Sequence, residues 1–199
     1  MQAARGNSAW FKRGANVCVV LVGLLALGGG VTLALRHGSP SAPAERKSAA
    51  ALFEHTFSDA DGKPQALTQW RGRWILVNFW ATWCAPCVEE MPDLQRVHSE
   101  YGGRDLAVVG LAIDNPGAVK RFRDSLKLEL PLLIAGAAGT ELARQLGNTS
   151  GALPYTVLID RSGFIARSKL GQLRDPELRA WLSTHLDASA EAVSGPIAK

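Results

Sequence analysis

Residues 74–87 read WILVNFWATWCAPC and contain the two features from which the rest of the chain can be interpreted. The first seven, Trp74 to Trp80, form a short apolar run without a charge, which is typical of a buried β-strand. After three further residues comes Cys84-Ala85-Pro86-Cys87, where a helical pattern begins. The sequence therefore predicts a strand that leads through a short loop into a helix with two cysteines in its first turn.

This placement gives the two cysteines different chemistry. A thiolate in the first turn of a helix lies near unpaired backbone N–H groups and the positive end of the helix dipole, which favour the ionised sulfur. We therefore expect Cys84 to be the attacking sulfur. Cys87 follows one helical turn later, where it can form a disulfide with Cys84 and release a bound partner. Pro86 is compatible with this turn, because its missing N–H would be unpaired there anyway.

Two other uses of a Cys-x-x-Cys pair are less favoured. A zinc site would need further ligands, and the chain has no second cysteine pair, while His55, His98 and His185 lack metal-ligand spacing. A purely structural disulfide would close a very short loop and restrain little chain entropy. We expect no metal and no cofactor. A Cu(I)-handling metallochaperone module that uses the two thiolates stays as the alternative, although Met91 and His98 have no obvious partner ligand.

The remaining chain predicts an α/β fold with a mixed sheet. Short apolar runs, which indicate further strands, are separated by helical patterns. The predicted strands cover residues 106–113, 155–159 and 164–168, and the predicted helices cover residues 84–101, 116–126, 140–146 and 175–186. Asp160 to Gly163 is predicted to form a hairpin turn. Asp175-Pro176 is predicted to supply an N-cap followed by Pro at the first helical position.

The net charge of +4 is concentrated at the N-terminus. Residues 1–40 contain four basic and no acidic side chains, so the remaining 159 residues balance 18 basic against 18 acidic ones (22 − 4 = 18). A basic footprint for nucleic acid is therefore absent beyond the N-terminus, and no nucleic-acid partner is expected. The positive charges instead flank an uncharged run, Val17 to Leu35, which as a helix would span ~28 Å, close to the thickness of a bilayer core.

These features predict the organisation of the chain. Residues 1–16 form a basic cytoplasmic N-terminus, 17–35 a transmembrane signal-anchor, 36–50 a linker, 51–187 the folded domain and 188–199 a flexible tail. The positive-inside rule then places the domain outside the cytoplasm. The alternative is a cleaved signal peptide with a cut near Ala44, which would leave a secreted or periplasmic protein. The apolar run is longer than a typical signal-peptide core, which favours the anchor.

The run from Val77 to Cys87, followed by Glu90, Met91 and Pro92, resembles the thioredoxin superfamily and specifically its TlpA/ResA-like membrane-anchored thiol-disulfide oxidoreductases. The resemblance covers most of residues 51–187, including the hairpin at 61–63 and the segment 71–73. It implies a thioredoxin-like three-layer fold, in which helices flank a central mixed β-sheet. A peroxiredoxin-type peroxidase is less favoured, because Thr82 lies two residues before Cys84 and the peroxidase pattern requires three.

The resemblance also implies roles for individual residues. Cys84 and Cys87 are the catalytic pair, and Trp83, Ala85 and Pro86 support them. Pro154 occupies the place of a cis proline that faces the active disulfide, with Leu153 before it, and the adjacent backbone pairs with an incoming peptide.

Other side chains near the cysteines complete the expected site. In ResA-like members a glutamate at the place of Glu90 helps to set the acidity of the thiols, although a solvated helix carboxylate is the open alternative. Asn78 replaces the buried aspartate that relays protons in cytosolic thioredoxins, so that role is not transferred. Trp80, Phe79 and Trp83 are expected to form an apolar platform around the sulfurs, with the core as the open alternative for Phe79.

The expected activity is reduction of protein disulfides in the periplasm of a bacterium, at the inner membrane. The resemblance implies substrates such as the haem-attachment cysteines of apocytochrome c or metal-site cysteines, and a membrane thiol-electron donor. The protein is expected to be a monomer.

Overall fold

The computed structural model describes residues 46–102 and 105–187. The predicted N-terminal segment, transmembrane helix and C-terminal tail lie outside the described residues. Across the part of the chain that is described, no helix is both long and apolar enough to cross a bilayer.

The described part contains seven strands and four α-helices, joined by short turns. A 3₁₀ turn at Ala50–Glu54 precedes the first strand, another at Leu67–Trp70 follows the second, and a π-helical turn at Ser183–Asp187 ends the described chain. In chain order the main elements are β1 (Thr56–Asp59), β2 (Pro64–Ala66), β3 (Trp74–Trp80), α1 (Ala85–Tyr101), β4 (Leu106–Ala112), α2 (Pro116–Leu126), β5 (Leu132–Ile134), α3 (Gly136–Leu146), β6 (Tyr155–Ile159), β7 (Ile165–Leu170) and α4 (Asp175–Leu182).

All seven strands form one mixed sheet in the order β2-β1-β5-β4-β3-β6-β7. The three inner strands β5, β4 and β3 are parallel, as expected for strands joined by crossover helices. The hairpin partners β1–β2 and β6–β7, and the pairs β1–β5 and β3–β6, are antiparallel. The predicted α/β fold with a mixed sheet is confirmed.

The core lies on both faces of this sheet. Every residue of β3 and β4 is buried, which explains why their sequences, apart from Asn78, are apolar throughout rather than alternating. Because neighbouring side chains in a strand point to opposite faces, Trp80 packs with Leu94 of α1 on one face, while Phe79 packs with Leu142 of α3 on the other. Helices cover each face, which gives the predicted three layers.

Two helix boundaries differ from the sequence prediction. The third helix begins at Gly136, four residues before Thr140. Inside it, a Cβ atom at Gly139 would lie 2.7 Å from the Cβ atom of Ala135 and 3.2 Å from the Cγ1 atom of Ile113. Close packing at Gly139 explains why glycine, which otherwise disfavours a helix, occupies this position. The helix α4 ends at Leu182, where the chain continues as the π-helical turn.

The predicted N-cap of α4 was one residue too late. Arg174 occupies the cap position with an extended backbone, and Asp175 is already helical. The Asp175 N–H donates to the Asp93 carboxylate of α1 at 3.0 Å, so an orphan donor of the first turn is satisfied by another helix rather than by a capping side chain.

Residues 46–50, which the sequence assigns to the linker, are part of the packed domain. Ala49 is fully buried and its N–H donates to Gly163 O at 2.9 Å, while Ser48 forms a β-bridge with Phe164. The predicted turn at Asp160–Gly163 therefore closes the β6–β7 hairpin and also holds the start of the described chain.

Candidate active site

The register of the strands brings four chain segments to one edge of the sheet. Trp80 at the end of β3 lies beside Ala112 at the end of the parallel strand β4. Phe79 pairs with Tyr155 at the start of the antiparallel strand β6, and Tyr155 in turn pairs with Leu170 at the end of β7. The segments that continue from these strand ends, 81–84, 113–115, 152–154 and 171–173, therefore lie at the same edge.

The two cysteines lie at this edge, at the start of α1. Cys84 is the N-cap residue of α1, and its carbonyl accepts the N–H of Val88 at 3.1 Å. Cys84 and Cys87 form a disulfide across a Cα–Cα distance of 5.3 Å. Cys84 is 8% exposed and Cys87 is completely buried, so Cys84 is the sulfur that a second protein can reach.

The side chains around the pair divide into exposed and buried groups. Trp83 is 69% exposed directly before Cys84, and Ala85 and Pro86 are also exposed. Trp80 is completely buried in the same apolar cluster as both cysteines. Of the two places open to Phe79, the platform and the core, the structure shows the core, because strand alternation directs its side chain to the opposite face of the sheet.

The Leu153–Pro154 peptide bond is cis, as the resemblance implied. Leu153 packs against the cluster that contains the two cysteines. Pro154 is buried next to the β6 strand, and its carbonyl accepts the N–H of Gly171 at 2.8 Å. The structure thus places the proline segment and the cysteine segment at the ends of neighbouring strands.

Glu90 is 1% exposed, which excludes the alternative of a solvated helix carboxylate. Its Oε1 accepts the Asn78 amide at 2.6 Å, and its Oε2 accepts the backbone N–H of Leu173 at 2.9 Å. Asn78 also donates to Thr156 Oγ1 at 3.0 Å. This buried polar group connects β3, α1, β6 and the loop before α4.

The environment of Glu90 changes its acidity. Burial raises the pKa of the Glu90 carboxyl to about 7, although the hydrogen bonds from Leu173 and Asn78 act in the opposite direction. The adjacent Glu89 is exposed, as expected for the solvent side of the same helix. Glu90 therefore changes its charge near neutral pH, one helical turn after Cys87.

The sequence interpretation missed a contact that holds the loop before Cys84. The Asp114 Oδ2 atom accepts the Thr82 N–H at 2.9 Å and the Thr82 hydroxyl at 2.6 Å. The other carboxylate oxygen accepts the N–H of Asn115, which caps α2 through Ala118. Burial raises the Asp114 pKa, but the hydrogen bonds from Thr82 and Asn115 outweigh it and the net pKa is lowered. The available signal was an Asp-Asn-Pro triplet directly after a strand.

A second missed residue, Asn148, lies in the loop before the cis proline. It is a buried polar side chain, 3% exposed, and its amide donates to Ala152 O at 2.9 Å. Asparagine after Gly at the end of a helix is a recognisable turn signal. Within residues 46–102 and 105–187, no group of three or more His, Cys, Asp and Glu side chains is arranged to hold a metal ion.

Known proteins share both the sequence and the fold. The family model described as AhpC/TSA matches residues 47–168. A thiol-disulfide oxidoreductase ResA from Bacillus cereus is 32% identical over 127 residues, which cover 63% of this chain and 70% of the relative. The ResA of Bacillus thuringiensis is 28% identical over 160 residues, covering 80% of this chain and 90% of that protein.

The likeness extends to a solved structure. A thiol:disulfide interchange protein of the thioredoxin family from Chlorobium tepidum superimposes with a TM-score of 0.62 at 26% identity, covering 73% of this chain and 99% of that one. Residues 47–168, which the family model matches, include the strand, the cysteine pair and the proline segment described above. The chain therefore belongs to the AhpC/TSA family, among its thioredoxin-like thiol-disulfide oxidoreductases of the ResA type.

Proposed function

We propose that the protein is a membrane-anchored, periplasmic reductase of protein disulfides that acts through Cys84 and Cys87. The observation that carries this proposal is the disulfide at the start of α1, in which Cys84 keeps 8% exposure and Cys87 is completely buried. A first sulfur that still reaches the surface can be captured by a partner, and a fully buried second sulfur reacts only with its neighbour.

The exchange proceeds in two balanced steps. In the reduced protein, the Cys84 thiolate attacks one sulfur of a substrate disulfide, which forms a mixed disulfide and releases the first substrate thiolate. The Cys87 thiolate then attacks the Cys84 sulfur, which releases the second substrate thiolate and forms the Cys84–Cys87 disulfide. The substrate gains two electrons and the protein loses two. A membrane dithiol donor returns the pair to its reduced form by the same exchange in reverse.

The surroundings of Cys84 fit a polypeptide substrate. Exposed Trp83 offers an apolar contact directly beside the reactive sulfur. The Leu153–Pro154 segment, which lies at the end of the neighbouring strand, offers a backbone with which an extended peptide can pair. Haem-attachment cysteines of apocytochrome c and metal-site cysteines are the substrate classes we propose.

A trapping experiment tests this function. The Cys87→Ala variant cannot resolve a mixed disulfide on Cys84, so we expect it to retain its protein substrates when cells are acid-quenched and the complexes are analysed on non-reducing gels. Cys84→Ala is the matched control and should trap nothing. If Cys87→Ala carries no mixed disulfide and the wild-type pair is inert toward dithiols, the proposed function is wrong.

The direction of exchange is tested separately. The reduced protein should reduce the interchain disulfides of insulin, which is measured by precipitation of the free B chain. This rate should exceed the rate at which the oxidised protein reoxidises a reduced, unfolded protein. The opposite order of rates would make the protein an oxidase of dithiols. About 30 mV of reduction potential corresponds to ~1.4 kcal/mol, so small changes around the sulfurs decide between the two directions.

The proposed membrane anchor rests on the uncharged run at 17–35 and the basic residues before it. A chain that keeps this segment stays in the membrane fraction after alkaline carbonate extraction, and its N-terminal sequence begins near residue 1. Release into the soluble fraction with a mature N-terminus at Glu45 would replace the anchor with a cleaved signal peptide.

A further inference from the structure

We propose that Asn148 is a positioning residue for exchange with protein substrates, because its buried side chain shapes residues 149–152 and so orients the Leu153–Pro154 backbone. The inference rests on the proposed function at the Cys84–Cys87 site. It assigns a role in substrate recognition to a residue that lies outside the cysteine helix, five residues before Leu153.

The Asn148 side chain makes three hydrogen bonds within a single loop. Its amide N–H donates to Ala152 O at 2.9 Å. Its Oδ1 atom accepts the Ser150 hydroxyl at 3.0 Å and the Gly151 N–H at 3.1 Å. The backbone N–H of Asn148 donates to Ala143 O in α3 at 2.9 Å, which fixes the loop to a packed helix.

These side-chain hydrogen bonds hold the conformation of the loop, which has no helix or strand hydrogen bonds of its own. Gly151 adopts a positive φ of 69°, so the chain turns sharply between α3 and β6. A side-chain amide that bonds on both sides of such a turn closes it in the same way as a backbone hydrogen bond. Ser150 and Ala152 are exposed, so water can satisfy their polar groups if the side chain is removed, and the loop then loses its shape without the fold being lost.

The loop shape determines where the proline segment lies relative to Cys84. Tyr155 pairs with Phe79, so the residues just before Tyr155 are beside the end of β3, from which the Cys84 segment departs. Downstream, Pro154 O is held by the Gly171 N–H at 2.8 Å. Upstream, Ala152 O is held by Asn148. Leu153 lies between these two fixed carbonyls, and Asn148 supplies one of the two restraints.

A polypeptide and a small thiol differ in their need for this segment. A peptide bound beside Cys84 pairs with the backbone around Leu153, whereas dithiothreitol reaches the sulfur without contacting that backbone. Misplacing the segment therefore weakens protein binding and leaves the intrinsic chemistry of the disulfide nearly intact. In kinetic terms the loss appears in KM rather than in kcat.

The experiment compares Asn148→Ala and Asn148→Asp with the parent protein. Asn148→Asp keeps an acceptor for the Gly151 N–H but places a carboxylate oxygen against Ala152 O. Both variants therefore lose the hydrogen bond that the Asn148 amide donates to Ala152 O. We expect the KM for insulin to rise roughly tenfold in each variant. The rate of disulfide reduction by dithiothreitol and the equilibrium with glutathione should change by less than about twofold.

Asp160→Ala is the matched control. Asp160 closes the turn at the opposite end of β6, where its Oδ1 accepts the N–H groups of Ser162 and Phe164 at 2.9 and 3.0 Å. It therefore removes comparable loop hydrogen bonds far from Cys84 and should leave the KM for insulin unchanged. The unfolding midpoint in urea is measured for every variant.

Three results would overturn the inference: a KM that rises no more in the Asn148 variants than in Asp160→Ala, an equal slowing of the insulin and dithiothreitol reactions, or failure of both Asn148 variants to fold. A parent protein that reacts with dithiothreitol but with no protein disulfide would instead overturn the proposed function together with this inference. The two failures are therefore distinguishable.

Discussion

At the scale of single residues, Glu90 is the side chain whose chemistry depends most on burial. A carboxylate on an amphipathic helix is ordinarily solvated, and the adjacent Glu89 follows that rule. Glu90 is instead held between the Asn78 amide and the Leu173 N–H in the interior. Two neutral hydrogen-bond donors do not offset the loss of hydration, so burial raises the pKa of this carboxyl to about 7.

The raised pKa of Glu90 makes stability depend on pH. Between about pH 4.5 and 7 the carboxyl is protonated in the folded protein and ionised in the unfolded chain, so raising the pH favours unfolding. We expect the oxidised parent protein to lose about 3 kcal/mol relative to Glu90→Gln between pH 4.5 and 8. Urea unfolding at a series of pH values measures the difference, and the intact disulfide prevents the cysteines from titrating.

Glu89→Gln is the matched control for this measurement. Glu89 is the adjacent carboxylate on the same helix and is exposed, so Glu89→Gln makes the same chemical change outside the interior. A Glu90→Gln curve parallel to that of the parent would show that Glu90 ionises in the folded protein as it does in the unfolded chain.

Glu90 also bears on the reactivity of the thiols under the proposed function. Loss of its titration in Glu90→Gln should change the pH profile with which the reduced protein reacts with iodoacetamide, because a charge that appears near pH 7 one turn from Cys87 disfavours a thiolate. The profile is followed by mass spectrometry of the Cys84 peptide. Profiles of Glu90→Gln and Glu89→Gln that overlay would remove Glu90 from the site.

At the scale of elements, the loop between β3 and α1 is held by a neighbouring strand. Thr82 donates twice to one oxygen of Asp114, which follows β4. The parallel register of β3 and β4 ends at the pair Trp80 and Ala112. Thr82 and Asp114 each lie two residues beyond this pair, so they face each other. A carboxylate that accepts from both the backbone and the hydroxyl restrains the conformation of the loop directly before Trp83 and Cys84.

The contact between Thr82 and Asp114 can be measured by a double-mutant cycle. Hydrogen bonds to a charged group contribute about 1.5–3 kcal/mol, so Thr82→Val and Asp114→Ala should each destabilise the protein, with a coupling energy of roughly 1–2 kcal/mol. Thr82→Ser retains the hydroxyl and serves as the control. Additive losses, measured by urea unfolding, would mean that the hydroxyl and the carboxylate do not interact in solution.

At the scale of the whole molecule, one sheet separates two apolar cores. Leu94 of α1 belongs to the core that also contains the cysteines, and Leu133 of β5 belongs to the core on the other face. Both cores are built on the same central strands β3 and β4, whose residues alternate between them. Neither face can therefore lose its packing without exposing the strands that support the other.

This shared support predicts cooperative unfolding. Leu94→Ala and Leu133→Ala should each reduce the free energy of unfolding by about 2–5 kcal/mol, and circular dichroism and tryptophan fluorescence should report the same transition. Leu126→Ala, at a side chain 45% exposed, is the control and should change stability by less than about 0.5 kcal/mol. Separate transitions for the two signals would show that the two faces unfold independently.

The sequence by itself determined the local units of this protein. The strand Trp74–Trp80, the cysteine pair at the next helix start and the strand Tyr155–Ile159 follow from short-range patterns, since apolar runs and turn residues act over a few positions. The predicted hairpin at Asp160–Gly163 is also a local feature. The AhpC/TSA family assignment rests on the same residues.

Only the tertiary structure decided which polar groups meet. Glu90 and Leu173 are 83 residues apart, and Thr82 and Asp114 are 32 apart, so no spacing rule connects them. Their contacts depend on strand register and on which helix covers which face, and these are fixed by packing of the whole chain rather than by neighbouring residues. For that reason the sequence located the reactive cysteines and pointed to Glu90, whereas the burial and partners of that carboxylate and the side chains that hold the surrounding loops emerged from the fold.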